Sequence, residues 1–124
     1  MRKILVTAAL PYANGELHIG HLKSTYIPAD IYARYHRLKG NYVVFVCGSD
    51  QHGTPIEIAA REAGVKVEDY VDYWMKNHAE DFKRMNIEFD IFYKTHSLEN
   101  IEMTKFFLKK LKENGFLYLS LIHI

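Results

Sequence analysis

Two histidines near the start of the chain have a spacing suited to phosphate chemistry: His18 and His21 lie three residues apart in the segment His18-Ile19-Gly20-His21. Residues at i and i+3 of a helix project from the same side, so both imidazoles would face one ligand. An apolar stretch over residues 3–9 precedes the pair, and apolar residues at helical spacing follow it. The pattern therefore predicts an anion site at a strand-to-helix junction, where backbone N–H groups and the helix dipole favour negative charge.

The reaction that suits such a pair is nucleotidyl transfer from ATP, in which charge builds on phosphoryl oxygens as pyrophosphate leaves. Each imidazole N–H aimed at a phosphate would stabilise the transition state by about 2.7–4 kcal/mol, by analogy with the loss of one oxyanion-hole donor. Gly20 would leave room for a flat ring to approach the backbone. Two surface histidines that only cap or decorate a helix end remain the alternative. Zinc held by His18, His21 and His52 is a weaker hypothesis, because the His18–His21 pair has no thiolate near it in the sequence and the one plausible carboxylate, Asp50, suits an amino group equally well.

A second candidate residue, Asp50, follows a continuous apolar run over residues 42–47. That run is typical of a strand covered on both faces, and open α/β sheets bind ligands beyond the carboxyl ends of such strands. A carboxylate at this place would accept a substrate ammonium group. The alternative is a turn or helix-capping aspartate, a common role for Asp beside Gly and Ser.

The elements that must position these residues alternate between strands and helices. Apolar runs predict strands at residues 3–9, 42–47 and 89–93, and helical spacing predicts helices between and after them. Pro28 should kink the first helical stretch or divide it into two consecutive helices. The fold class predicted is α/β: a Rossmann-like parallel sheet with flanking helices. A local alternative is a hairpin at Asn14-Gly15, with the alternating residues that follow forming a second strand.

The composition is that of an ordinary folded protein. Of 124 residues, 48% are hydrophobic and 25% charged, and the net charge of +1 indicates no class of partner. Cys47 is the only cysteine, so the chain can form no internal disulfide, which favours a reducing, cytoplasmic location. The apolar stretch after Met1 has no convincing signal-peptide cleavage site, and no other apolar run is long enough to span a bilayer. We therefore expect no membrane partner.

Three motifs together resemble the N-terminal part of the methionyl-tRNA synthetases, a branch of the class I aminoacyl-tRNA synthetases. The resemblance covers residues 3–119. The His-Ile-Gly-His tetrapeptide is shared across the class, whereas the other two motifs are similar to the methionine branch. The motifs are Ala8-Ala9-Leu10-Pro11-Tyr12-Ala13-Asn14-Gly15, His18-Ile19-Gly20-His21 and Gly48-Ser49-Asp50-Gln51-His52-Gly53-Thr54-Pro55-Ile56.

The resemblance implies a methionine-tRNA ligase, which joins methionine to AMP, releases pyrophosphate and passes the methionyl group to tRNA(Met) for protein synthesis. The catalytic residues would be His18 and His21, acting on the ATP phosphates, with ATP and Mg²⁺ as substrate. The implied ATP-binding residues are Pro11, Tyr12, Asn14, Gly15, His18, Gly20 and His21. The implied methionine-binding residues are Leu10, Tyr12 and Asp50, of which Asp50 would receive the substrate ammonium.

The family's Lys-Met-Ser-Lys-Ser loop, its cysteine-rich zinc knuckle and its anticodon-binding helices do not occur in these residues. We therefore expect residues 1–115 to form the N-terminal part of the catalytic domain, and residues 116–124 to be the truncated start of the connective region. The last residues, 120–124, do not match the family's continuation. Zinc would belong to the connective region of the full-length family, and this chain would hold no metal. We expect the isolated chain to be inactive. The alternative hypothesis is a complete, non-catalytic module that binds a nucleotide or an amino acid.

Overall fold

The computed structural model describes residues 1–120, which form one parallel sheet with helices between its strands. The sheet order is β1–β2–β3, with Lys3 opposite Tyr42 and Val46 opposite Ile91. The strands are β1 (Lys3–Thr7), β2 (Tyr42–Ser49) and β3 (Ile91–Lys94). The helices are α1 (Ile19–His21), α2 (Ile27–Leu38), α3 (Thr54–Glu62), α4 (Val67–Arg84) and α5 (Leu98–Glu113). The predicted α/β fold class is confirmed.

The first helical stretch is divided as the proline predicts. A π turn over Leu22–Tyr26 joins α1 to α2, and the Ile27 N–H donates to the Leu22 carbonyl five residues back. Pro28 then stands in the first turn of α2, where its missing N–H costs no helical hydrogen bond. The hairpin alternative at Asn14-Gly15 is wrong, because residues 14–18 form no strand and lead directly into α1.

All three strands have bounds that differ from the predicted residues 3–9, 42–47 and 89–93. β1 stops at Thr7, and the chain rejoins the end of β2 only at an isolated parallel bridge between Tyr12 and Asp50. β3 begins at Ile91 rather than residue 89, because the Asp90 carboxylate accepts the Phe45 N–H at 2.6 Å in place of a backbone carbonyl. Helix α3 begins at Thr54, directly after Gly53.

Two apolar clusters hold the fold. The larger one lies under α2 and α4 around the sheet, and its fully buried members include Phe45 and Phe82. The smaller one joins α3 and α4 to the loop after β1 and contains Ala13, Ile56 and Val71. Because Ala13 belongs to the candidate site segment, the second cluster fixes that segment against two helices.

The last helix and the residues after it are exposed. Ser97 caps α5 by accepting the Asn100 N–H at 3.2 Å, and Gly115 follows the helix with a φ of +74°. No residue of α5 is buried. Residues 116–120 have no regular secondary structure, and the remainder of the predicted segment 116–124 lies outside the described residues. No helix within residues 1–120 is both long and apolar enough to cross a membrane.

Candidate active site

The two histidines cap α1 reciprocally. His18 Nδ1 accepts the Gly20 N–H at 3.1 Å, and His21 Nδ1 accepts the His18 N–H at 3.3 Å. Their rings stack with centroids 3.7 Å apart and planes 24° apart. A ring nitrogen that accepts a hydrogen bond carries no proton, so each neutral imidazole holds its proton on Nε2. The pair therefore presents two Nε2–H donors from one end of a helix.

The helix-capping contacts of these histidines are compatible with the predicted ligand-binding role. Capping uses only the Nδ1 atoms, and both residues are exposed. The caps hold the two rings in place through Nδ1, and the Nε2 atoms stay available to an anion.

Gly20 allows this arrangement sterically. A Cβ built on Gly20 would lie 2.9 Å from both Cε1 and Nδ1 of His18, closer than side-chain carbons approach other atoms. In this structure the flat ring that approaches the Gly20 backbone is therefore the imidazole of His18. Glycine at this position is what lets the His18 ring fold back onto the first turn.

The segment before the histidines runs beside the end of β2. The Asp50 N–H donates to the Pro11 carbonyl and the Ala13 N–H donates to the Asp50 carbonyl, both at 2.8 Å. This bridge brings Tyr12 and Asp50, which are far apart in the sequence, to neighbouring positions at the carboxyl end of the sheet. Within residues 1–120 the half-buried Asp50 carboxylate has no hydrogen-bond or ion-pair partner, so it is open to a cation.

Two glycines let the predicted substrate residues lie close to the strand end. A Cβ on Gly48 would lie 2.9 Å from Leu10 Cδ2, and a Cβ on Gly53 would lie 2.6 Å from the Tyr12 hydroxyl oxygen. Gly53 also has a φ of +129°, in the region that favours glycine. The Leu10 side chain therefore packs against the backbone of Gly48, and the Tyr12 hydroxyl packs against the backbone of Gly53.

One cleft collects most of the predicted site residues. His21 forms part of its wall, and the buried Tyr26 closes it towards the larger core. Burial raises the pKa of the Tyr26 hydroxyl to about 12, so it stays protonated. His18, Gly20 and Asp50 are not in the wall, and they connect to it through the His18–His21 stack and the Tyr12–Asp50 bridge. The cleft is lined by Ala9, Leu10, Pro11, Tyr12, Asn14, Gly15, Glu16, Leu17, His21, Thr25 and Tyr26.

Helix α4 supports this segment with two polar side chains that the sequence analysis did not single out. Tyr70 donates its hydroxyl to Asn14 Oδ1 at 3.1 Å, and the fully buried His78 contacts the Gly15 carbonyl through Nε2 at 2.7 Å. Burial lowers the pKa of His78. One sequence signal was available: His78 lies four residues after Trp74 and four before Phe82, which places it on the apolar face of α4.

The described residues contain no group of three or more His, Cys, Asp and Glu side chains arranged to hold a metal ion. The zinc hypothesis for His18, His21 and His52 therefore has no geometric support, since the ring near His52 is His96, with centroids 5.2 Å apart. Cys47 is buried beside the Ala9 and Gly48 carbonyls, and burial raises the pKa of its thiol to about 12.

Comparison with known proteins identifies relatives along almost the whole chain. The family model described as tRNA synthetases class I (M) matches residues 4–124. A methionine–tRNA ligase of Methanococcus aeolicus is 51% identical over 94% of this chain and 17% of its own length. A methionine–tRNA ligase of Rubrobacter xylanophilus is 47% identical over 93% of this chain and 20% of its own length.

Solved structures agree with the sequence relatives. The Mycobacterium tuberculosis methionyl-tRNA synthetase in complex with methionyl-adenylate superposes with a TM-score of 0.89. It is 31% identical, over 93% of this chain and 22% of that one. The chain thus spans about a fifth of the length of the relatives it matches.

Proposed function

The chain belongs to the methionyl-tRNA synthetases of class I, and from that premise we propose that it supplies one side of a site that activates methionine with ATP. The observation that carries the proposal is the reciprocal cap of His18 and His21, which leaves both Nε2–H groups available beside the cleft. Two fixed donors are what a phosphoryl transition state requires, because its charge spreads over non-bridging oxygens.

In the proposed reaction a carboxylate oxygen of methionine attacks the α-phosphorus of ATP. The new O–P bond forms as the bond from the α-phosphorus to the leaving pyrophosphate oxygen breaks, which yields methionyl-adenylate. His18 and His21 donate Nε2–H groups to the phosphate oxygens, and Pro11, Tyr12, Asn14, Gly15 and Gly20 form the surface that holds the nucleotide. Mg²⁺ enters with ATP as part of the substrate.

The amino acid is proposed to bind across the Tyr12–Asp50 bridge. Asp50 accepts the substrate ammonium, an assignment supported by its carboxylate, which has no partner among the described residues. Leu10 and Tyr12 contribute apolar surface to the methionine side chain, and both remain partly exposed at the carboxyl end of the sheet. An ammonium–carboxylate contact in a partly closed site is stronger than in water.

The remaining partners belong to the full-length protein. We propose that the methionyl group is then passed from the adenylate to the terminal adenosine of tRNA(Met), with release of AMP, in the cytoplasm and for protein synthesis. We propose no zinc ligand within residues 1–120, whose side chains form no suitable group.

The test is methionine-dependent exchange of pyrophosphate into ATP by the full-length protein. Exchange should require methionine and should not occur with leucine, isoleucine or valine. Replacement of His18 or His21 by Ala should each reduce the rate about 10²–10³-fold, the effect of losing one oxyanion-hole donor. Exchange that is absent, or that is equal with the other amino acids, would contradict the proposal.

Asp50→Ala distinguishes the two substrate sites. It should raise the KM for methionine far more than the KM for ATP, since the carboxylate is assigned to the ammonium alone. An equal change in both constants would refute that role, and Asp72→Ala, on α4, serves as a control for the loss of another half-buried carboxylate.

A further inference from the structure

His78 is held in one chemical form by its surroundings. Its side chain is fully buried on α4, and its Nε2 lies 2.7 Å from the Gly15 carbonyl oxygen. A carbonyl oxygen can only accept, so Nε2 carries the proton and donates it. Nδ1 is then a lone-pair acceptor, and it has no partner within residues 1–120. The only side-chain hydrogen bond that His78 makes within residues 1–120 is thus directed at the site segment.

Gly15 lies where the site segment has least support from its own backbone. The parallel bridge to β2 ends at Ala13, and the cap of α1 begins at His18. Between these points Asn14 is held by the Tyr70 hydroxyl and Gly15 by His78, both from α4. Of these two contacts, the one to Gly15 is nearer in sequence to the histidine pair.

The packing around His78 makes α4 a rigid support for that contact. Val71 of α4 packs with Ala13 and Ile56 in the smaller apolar cluster, and Trp74 lies against the same cluster and against the His78 ring. Phe82 anchors the other end of the helix in the larger core. Because both apolar clusters hold α4, the position of Nε2 is set by the core rather than by the loop.

We propose that His78 is a positioning residue for the phosphate site: its Nε2–H holds the Gly15 carbonyl and thereby sets the place of His18 and His21. The inference rests on the proposed function, which it extends to a residue that does not touch substrate. Without the bond, the Gly15 carbonyl loses its donor and residues 14–18 can shift. A displacement of 1 Å at reacting groups costs about 10²-fold in rate.

The experiment compares two carboxamides at the same position in the full-length protein. In His78→Gln the amide nitrogen reaches about as far as Nε2, whereas in His78→Asn it stops short. H78N should lower kcat/KM for ATP in pyrophosphate exchange about 10- to 100-fold, with the KM for methionine changed less than about twofold. H78Q should recover most of that loss. His78→Leu is a second variant without a donor and should behave as H78N does.

Val43→Ala is the control for lost stability, because Val43 is buried at the start of β2, the end of the sheet away from the site. V43A should lower the unfolding temperature without changing kcat/KM for ATP or the KM for methionine. Thermal unfolding of every variant shows which ones are folded.

The outcomes separate this inference from the proposed function. A wild-type protein without methionine-dependent exchange would overturn both. Two results with an active wild type would overturn only the role of His78. In the first, H78N, H78L and H78Q lose activity equally; in the second, kcat/KM for ATP and KM for methionine worsen by the same factor.

Discussion

At the scale of single residues, each ring of the histidine pair combines an observed capping contact with a proposed chemical role. The caps on Nδ1 fix both the tautomer and the ring orientation, so the Nε2–H donors are organised before a ligand arrives. Residue types and spacing were enough to predict that the two histidines lie together at a helix end, and their role towards a ligand stays a prediction. The buried partner of Gly15 was not predicted, because His78 is 63 residues away and only the folded chain brings the two together.

Gly20→Ala tests the steric part of this arrangement. The added methyl would lie 2.9 Å from the His18 ring, so the ring must move off its cap. Pyrophosphate exchange by the full-length protein should fall by up to about 10²–10³-fold, as for one lost donor. Thermal stability should change little, since alanine favours helix over glycine by about 0.5–1 kcal/mol. Normal exchange in a folded variant would contradict the prediction.

Cys47 provides a residue-scale test of burial. Its thiol pKa of about 12 and its buried position mean that almost no accessible thiolate exists at neutral pH. An aromatic disulfide reagent should therefore react with Cys47 slowly in the native protein and rapidly in denaturant. Cysteine-containing peptides from a digest, analysed by mass, would identify the site, and fast native labelling at Cys47 would contradict the burial.

At the scale of elements, the sequence predicted each strand and each main helix, but not the residues at which they begin and end. Apolar runs located the strands because burial dominates there. The ends depend on single hydrogen bonds, such as the Asp90 carboxylate on the Phe45 N–H, that no periodicity reveals. The same holds for Gly53, whose φ of +129° precedes the start of α3.

A charged pair within α2, Asp30 and Arg34, holds the segment that follows α4. Buried Asp30 accepts from Arg34 Nε at 2.5 Å and from the Glu88 N–H at 3.0 Å, and Arg34 also donates to the Asn86 carbonyl. Arg34→Met, which keeps the apolar stem, should lower the free energy of unfolding by about 1–3 kcal/mol, because the buried carboxylate loses its charged donor. Urea unfolding measures it.

A double-mutant cycle with Asp30→Asn provides the control for that pair. The two changes together should cost less than their sum, since each removes the same interaction. Additive costs would show that Arg34 and Asp30 act independently.

At the scale of the whole molecule, stability should depend on pH through His78. Burial lowers its folded pKa below the ordinary 6.5. The hydrogen bond to the Gly15 carbonyl and the Asp81 carboxylate oppose that shift, and the nearby His21 adds to it. Below 6.5 the unfolded chain therefore binds more protons than the folded one, so this contribution is complete above 6.5 and is lost as the pH falls towards the folded pKa.

Urea unfolding at about pH 7.5 and about pH 5.5 checks the direction. The midpoint should fall at the lower pH, and His78→Gln should show a smaller fall because it cannot titrate. An equal fall in both proteins would assign the effect to other groups.

The exposed apolar surface sets the behaviour of the isolated chain. β1 and β3 are both sheet edges within the described residues, with Leu5 67% and Ile91 57% exposed, and α5 exposes Phe106 and Phe107. Unpaired edges and apolar faces favour association. Sedimentation of the 124-residue chain should show self-association that increases with concentration, and a monomer at high concentration would contradict this.

The π turn at Leu22–Tyr26 rotates α1, which carries the histidines, relative to α2. One extra residue in a helical turn rotates everything before it by about 100° relative to everything after it. The direction in which His21 points is therefore uncoupled from the register in which Ala33 packs on the sheet. Removing one residue from this turn would restore an ordinary α-helical register, leave the packing of α2 in place and swing the imidazoles away from the cleft. A single-residue deletion in this turn should therefore abolish the proposed pyrophosphate exchange and leave the fold intact.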